Sequence, residues 1–243
     1  MNLNNFVVDR ILRAVGKDGD DNLLFAINQV TNASLNVTSE TAEAVDALGT
    51  PIAIFNRAKT AEFSAENAIF DLSLMATQAG SKKIVASESD PILAPAFDLV
   101  EDGALKHTPV DADAVKFYHV NGDGSIGAEV SRAGVEISGL TVTGLPADDS
   151  IMAVYEYNAE GAVAVINSAT EFPKACELVL EVLGCDVCNQ EELMYAYLIF
   201  PKFKISPDFD WSIATDGSHP FSGQAMQNYC DSKKELYKLI IVE

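Results

Sequence analysis

The chain has 243 residues, 48% of them hydrophobic, and carries 36 acidic against 16 basic side chains for a net charge of −20. That apolar fraction supports a packed core, which argues against a disordered chain. The scattered cations argue against tight nucleic-acid binding, which needs clustered Lys and Arg to displace counterions from phosphates. No run approaches the roughly 20 apolar residues of a membrane helix, and Met1 to Asp21 lacks a basic stretch followed by a long apolar one. A soluble protein made in the cytosol is expected.

Along the chain, Val7, Val8, Ile11, Leu12 and Val15 recur at helical spacing with Asp9, Arg10 and Arg13 opposite, which predicts a short N-terminal helix ending at Gly16. Leu23 to Thr38 is rich in β-branched and apolar residues and reads as strand, followed by an acidic connection over Glu40 to Asp46. Ile52 to Phe55 and Lys59 to Phe63 read as two strands separated by a turn at Asn56-Arg57. A helix is predicted over 65–79: Ala68, Leu72, Met75, Ala76 and Ala79 share a face, Ser64 can cap it, and Gly80 stands where it should stop. This helix should flank a sheet. Ser87 to Thr108, with Pro91 and Pro95, predicts a long loop or exchanged arm.

From Val115 onward the period is two. Val115 to Val120, Glu129-Val130, Val135 to Ile137, Leu140 to Val142, Ile151 to Tyr157 and Ala162 to Ile166 read as strands separated by Gly- or Pro-bearing turns. Glu177 to Val182, Met194 to Phe200, Phe203 to Ile205, Phe209 to Ile213, Pro220 to Met226 and Leu236 to Val242 continue the pattern. The fold class expected is mainly β, a β-barrel or sandwich in a single domain over 1–243, with 86–150 an inserted lobe or extended-loop region.

No catalytic, cofactor or metal site can be written from the residues. Cys185-Asp-Val-Cys188 has the spacing of a zinc or redox pair, but Cys176 and Cys230 stand alone and no second pair completes a ribbon. Reduced cysteines without metal are expected. His107, His119 and His219 lack a partner at ligand spacing and read as surface or turn residues. Asn121-Gly-Asp-Gly124 fails the register of a calcium loop and reads as a tight turn. An enzyme is not expected.

The order of pieces resembles the tail tube (major tail) proteins of tailed bacteriophages. The resemblance is carried by Leu48-Gly-Thr-Pro-Ile52-Ala-Ile-Phe55, the strand Lys59-Thr-Ala-Glu-Phe63 feeding a helix, Phe200-Pro-Lys-Phe-Lys-Ile205, and Phe221-Ser-Gly-Gln-Ala225 before an apolar final strand. It spans most of the chain, strongest over 23–80 and 194–243, and departs over 86–150. It implies a virion structural protein without catalytic residues, forming hexameric rings that stack into a hollow tube. Its partners would be copies of itself, other virion structural proteins, and viral DNA sliding past an acidic lumen without tight binding; no membrane and no cofactor are implied. Thr38 to Gly49 and Ser87 to Asp113 are long enough to reach a neighbouring copy. The alternatives are a capsid decoration or other head-associated protein and, from another class, a ligand- or metal-binding β-module.

Overall fold

A computed structural model describes residues 5–146, 150–215, 217–229 and 232–242. The chain is mainly β and divides into two compact units, one made of 1–83 with 165–243, the other of 84–164.

The first unit holds β1 (Phe6–Lys17), β2 (Leu23–Ile27), β3 (Val30–Val45), β4 (Pro51–Asn67) and α1 (Leu72–Ala79). The second holds β5 (Ile84–Val85), β6 (Ile92–Leu99), β7 (Lys116–Val120), β8 (Ile126–Glu129), β9 (Glu136–Ser138), β10 (Thr141–Thr143), β11 (Ile151–Ala159) and β12 (Val163–Ala164). The chain then returns to the first unit as β13 (Ala175–Asp186), β14 (Asn189–Ile205), β15 (His219–Ala225) and β16 (Lys238–Val242).

In the first unit an antiparallel eight-stranded sheet runs in the order β2-β1-β13-β14-β15-β4-β3, with β16 also on β14. β14 is long enough to serve two strands along one edge: β16 pairs with Tyr195 to Ile199 and β15 with Phe203 to Ile205. The end strands β2 and β3 are separated by only Asn28 and Gln29, so the sheet must curl until its two ends come near one another. They form no ladder with each other, and the closed barrel expected as one alternative is not found among the described residues. The concave face holds the core. Leu178, Leu180, Phe200, Phe203, Phe63 and Phe221 are buried there, and Leu74 of α1 joins them. Phe63 sits at the centre, with its ring 5.6 to 6.4 Å from those of Phe200, Phe203 and Phe221.

Three local expectations are corrected. The N-terminal segment is strand, not helix. Bulges between Val8 and Arg10 and between Ile11 and Arg13 place Val8, Ile11, Ala14 and Gly16 opposite Gly184, Val182, Leu180 and Leu178, so a twice-bulged strand reproduces helical spacing. The helix predicted over 65–79 begins only at Leu72, because Ala65 to Asn67 belong to β4 and pair with β15, Glu66 and Asn67 with β3 as well. Asp71, not Ser64, is its N-cap, accepting the Leu74 N–H at 2.7 Å, while Gly80 closes it at φ 70° as expected. Thr38 to Gly49 is mostly strand, and β4 runs through Asn56-Arg57, where the turn-like residues make a bulge instead.

The second unit has its own core. A four-stranded sheet, β6-β11-β7-β8, covers Phe117, Val115, Ala153, Ile151 and Tyr155, with Val142 and Val135 from the β9–β10 region. Part of the expected Ser87 to Thr108 loop is therefore strand β6; Pro95 is tolerated because β6 is an edge strand. Tyr155 Oη donates to Asp98 at 2.6 Å, Lys106 Nζ lies 3.7 Å from the same carboxylate, and the His107 N–H donates to Tyr155 Oη at 3.0 Å. Burial first, then the bond to Asp98, pushes the Tyr155 phenol up to about 12, so it remains a donor at neutral pH. β5 and β12 pair where the chain enters and leaves this unit.

Candidate functional site

The conspicuous features are surfaces, not a cleft with chemistry. β3 and β4 form a long hairpin whose near half lies in the sheet and whose far half does not. Ala61 to Asn67 pair with β15, but among the described residues Pro51 to Thr60 have β3 as their only strand partner. A two-stranded ribbon has no core of its own to cover its side chains. Leu48 at the turn is 91% exposed, Ile52 70% and Phe55 58%. The register pairs Glu43 with Ile54 and Ala42 with Phe55, so both faces of the ribbon carry apolar groups, with Glu40, Glu43 and Asp46 among them. Asp46 accepts the N–H groups of Leu48 and Thr50 at 2.8 and 2.9 Å, which holds the turn shut and Leu48 outward.

The sheet face opposite the core is divided. Directly paired residues share a face, so Leu183, Tyr195 and Val242 form one row and Glu181, Tyr197 and Ile240 the next, both on the convex side. Leu193, Tyr195, Ile240 and Val242 are exposed there, around an ion pair of Arg13 with Glu181 at 2.5 Å. The other half is polar: Lys204, Gln224, Glu62 and Asn36 align in one row and Ser222, Ser64 and Ser34 in the next. They line an open groove of about 560 Å³. The outer edge of β3 has no strand partner among the described residues.

The exposed area agrees with these unpartnered surfaces. The chain exposes 15494 Å². A single folded body of 26.1 kDa would expose about 10,600 Å², and two wholly separate bodies of the sizes of its units about 12,600 Å² together.

The residues singled out for chemistry do not gather. Cys176 is in the core, and burial pushes its thiol up to about 11; Cys185 is half-buried on β13 and Cys188 exposed in the β13–β14 turn. Cys230 lies outside the described residues. Among the described residues no three His, Cys, Asp or Glu side chains are placed to hold a metal ion. The double change Cys185→Ser and Cys188→Ser is expected to move Tm by no more than about 2 °C, measured by thermal unfolding with and without a chelator; stoichiometric zinc in the purified protein would contradict this. Asn121 to Gly124 form the expected tight turn, with the Gly124 N–H donating to Asn121 C=O at 2.8 Å. His107 stacks on Tyr157 with ring centroids 3.8 Å apart, and His119 lies on β7.

His219 corrects the expectation of a surface or turn residue, being fully buried at the start of β15. The Asp71 N–H donates to its Nδ1 at 3.3 Å, which leaves the proton on Nε2 to be donated to Gln78 Oε1 at 2.8 Å. Gln78, also fully buried, donates on to Pro220 C=O at 3.1 Å. One neutral imidazole therefore joins both ends of α1 to β15. Spacing could not reveal it, because its partners lie more than 140 residues away.

No helix of the described residues is long and apolar enough to cross a membrane. No curated protein matches the chain. The model of the YomU/Tube protein family matches residues 6–238, nearly the whole sequence. The chain thus belongs to the YomU/Tube protein family, in keeping with a structural protein of the phage tail tube.

Proposed function

We propose that this chain is the repeating subunit of a phage tail tube, assembling into hexameric rings that stack around a passage for DNA. The observation that carries this reading is the β3–β4 hairpin, whose Leu48, Ile52, Ile54 and Phe55 are each more than half exposed. A contact between different patches on successive copies is heterologous, and such contacts generate rings when the rotation closes and open stacks when it does not. The unpartnered edge of β3 and the apolar half of the convex face offer the complementary surfaces. The polar half, rich in hydroxyls and amides with the single cation Lys204 in the same row as Glu62, suits a wall past which DNA slides, because it holds no cluster of cations to stop a phosphate backbone. In this reading the partners are further copies, other virion structural proteins at the ends of the tube, and the passing DNA. The protein acts in the virion tail after synthesis in the host cytoplasm, as a scaffold and not as an enzyme.

Sedimentation velocity over rising concentration, followed by negative-stain electron microscopy, tests this. Rings with six-fold symmetry and tubes of constant width are expected. A chain that remains monomeric at about 100 μM, well above the range in which specific interfaces of standard size associate, would overturn it.

A further inference from the structure

We propose that the unit formed by residues 84–164 presents a docking face for a basic protein segment carrying an apolar stripe. This does not rest on the assembly reading. One face of the four-stranded sheet is buried over the unit's own core, and the registers place a second apolar surface on the other. Leu99, Met152 and Tyr118 stand in one row and Phe97 and Val154 in the next, with Leu93 further along β6. Leu93, Phe97 and Leu99 are 57%, 64% and 48% exposed, more than a small acidic unit needs for solubility. The open edge of β6 is poorly suited to adding another strand, because Pro95 interrupts its row of amide donors. The face, not the edge, is what the unit offers.

Charge selects the occupant. Residues 84–164 hold 14 acidic side chains against three cationic ones, so this third of the chain carries −11 of the total −20. Glu129 ends the Leu99 row, Glu156 pairs beside Pro95, Glu101 and Asp102 follow β6, and Glu160 follows β11. Lys116, beside Val154, is the cation within the rows. A second copy laid on this face would set one acidic rim against another. A basic partner would neutralise the rim while its apolar stripe covers Phe97 and Leu99, which gives both attraction at a distance and burial on contact.

The test is a titration of the full chain into a fluorescent amphipathic helical peptide of leucine and lysine, read by anisotropy at about 0.15 M salt. A leucine–glutamate peptide of the same pattern is the control. Saturable one-to-one binding of the lysine peptide alone is expected. Phe97→Ser with Leu99→Ser should weaken it at least tenfold, and so should Phe97→Thr with Leu99→Thr, which keeps strand propensity should serine disturb β6. Glu101→Lys with Glu156→Lys should weaken it and flatten its salt dependence, whereas Leu48→Ser with Ile52→Ser in the hairpin should leave it unchanged. Three results would overturn the proposal: absence of binding, binding indifferent to Phe97 and Leu99, or self-association of the wild-type chain that those changes abolish, which would assign the face to a second copy.

Discussion

Replacing His219 with alanine should destabilise the unit built on 1–83 and 165–243 by about 3 kcal/mol, because it removes a buried ring and leaves two buried partners, the Asp71 N–H and Gln78 Oε1, without their bonds. In a body of this size that corresponds to a fall in Tm of about 6–12 °C. The same residue makes stability depend on pH. Burial holds the imidazole below its ordinary value of 6.5, opposed by the nearby Asp71 carboxylate. As pH falls below about 6.5 the unfolded chain therefore takes up a proton before the folded one does. The contribution of His219 is thus complete above that pH and is lost progressively below it, ceasing to change once the folded protein is protonated as well. Protonation at Nδ1 also places a donor opposite the Asp71 N–H, so the bond that joins α1 to β15 is lost. A phenylalanine ring in its place would fill much of the same volume between Phe70 and Phe209 without titrating, so His219→Phe should cost stability at pH 7.5 yet narrow its gap to wild type at acid pH. Chemical denaturation from pH 7.5 down to 5 measures this; a gap that stays constant with pH would show that His219 is not the titrating group.

The strands of the last third were legible because their apolar residues alternate over a sheet with one buried face. Glu177 to Val182 and Pro220 to Met226 lie where period two places them, and Met194 to Phe200 and Phe203 to Ile205 are successive parts of the single strand β14, with a register shift between Cys176 and Leu178 opposite. Period failed where bulges intervene. In β1 two bulges turn a spacing of two into one of three, so Val8, Ile11 and Ala14 share a face as they would on a helix, while Val7 and Val15 of the apparent stripe fall on the other face of the strand. Phe209 to Ile213 fails for a different reason. Its aromatic residues serve side-chain packing without a ladder: Trp211 stacks on Phe70 at 4.3 Å and Phe209 lies 5.9 Å from His219. The hairpin was only half visible. Its acidic, alanine-rich first strand, Glu40 to Val45, has the composition of a solvated loop because almost nothing on it is buried. Strand pairing with Ile52 to Asn56, a property of two segments together, is what extends it.

Removing the apolar groups from that hairpin should separate folding from assembly. Leu48, Ile52, Ile54 and Phe55 are all exposed, so changing the four to serine removes nothing from the core and should leave the Tm of the dissociated subunit within about 2 °C of wild type. Assembly should respond very differently. Burying a large apolar side chain contributes about 1.5–3 kcal/mol, and even partial burial of four in a contact with the next copy comes to about 5 kcal/mol. Their loss would then weaken each contact by on the order of 10³–10⁴-fold, enough to keep the subunit monomeric at concentrations where the proposed function expects the wild type to form tubes. Shortening the ribbon provides a second arm: replacing residues 42–55 with Asn-Gly removes the apolar ribbon while keeping the in-sheet pairing from Asn36 with Glu62 back to Val30 with Asn67. Both variants should sediment as monomers with the circular dichroism of a β protein. If either one still forms tubes, the hairpin is not what joins the copies. If they form single rings that no longer stack, the hairpin joins one ring to the next and the open edge of β3 remains as the contact within a ring.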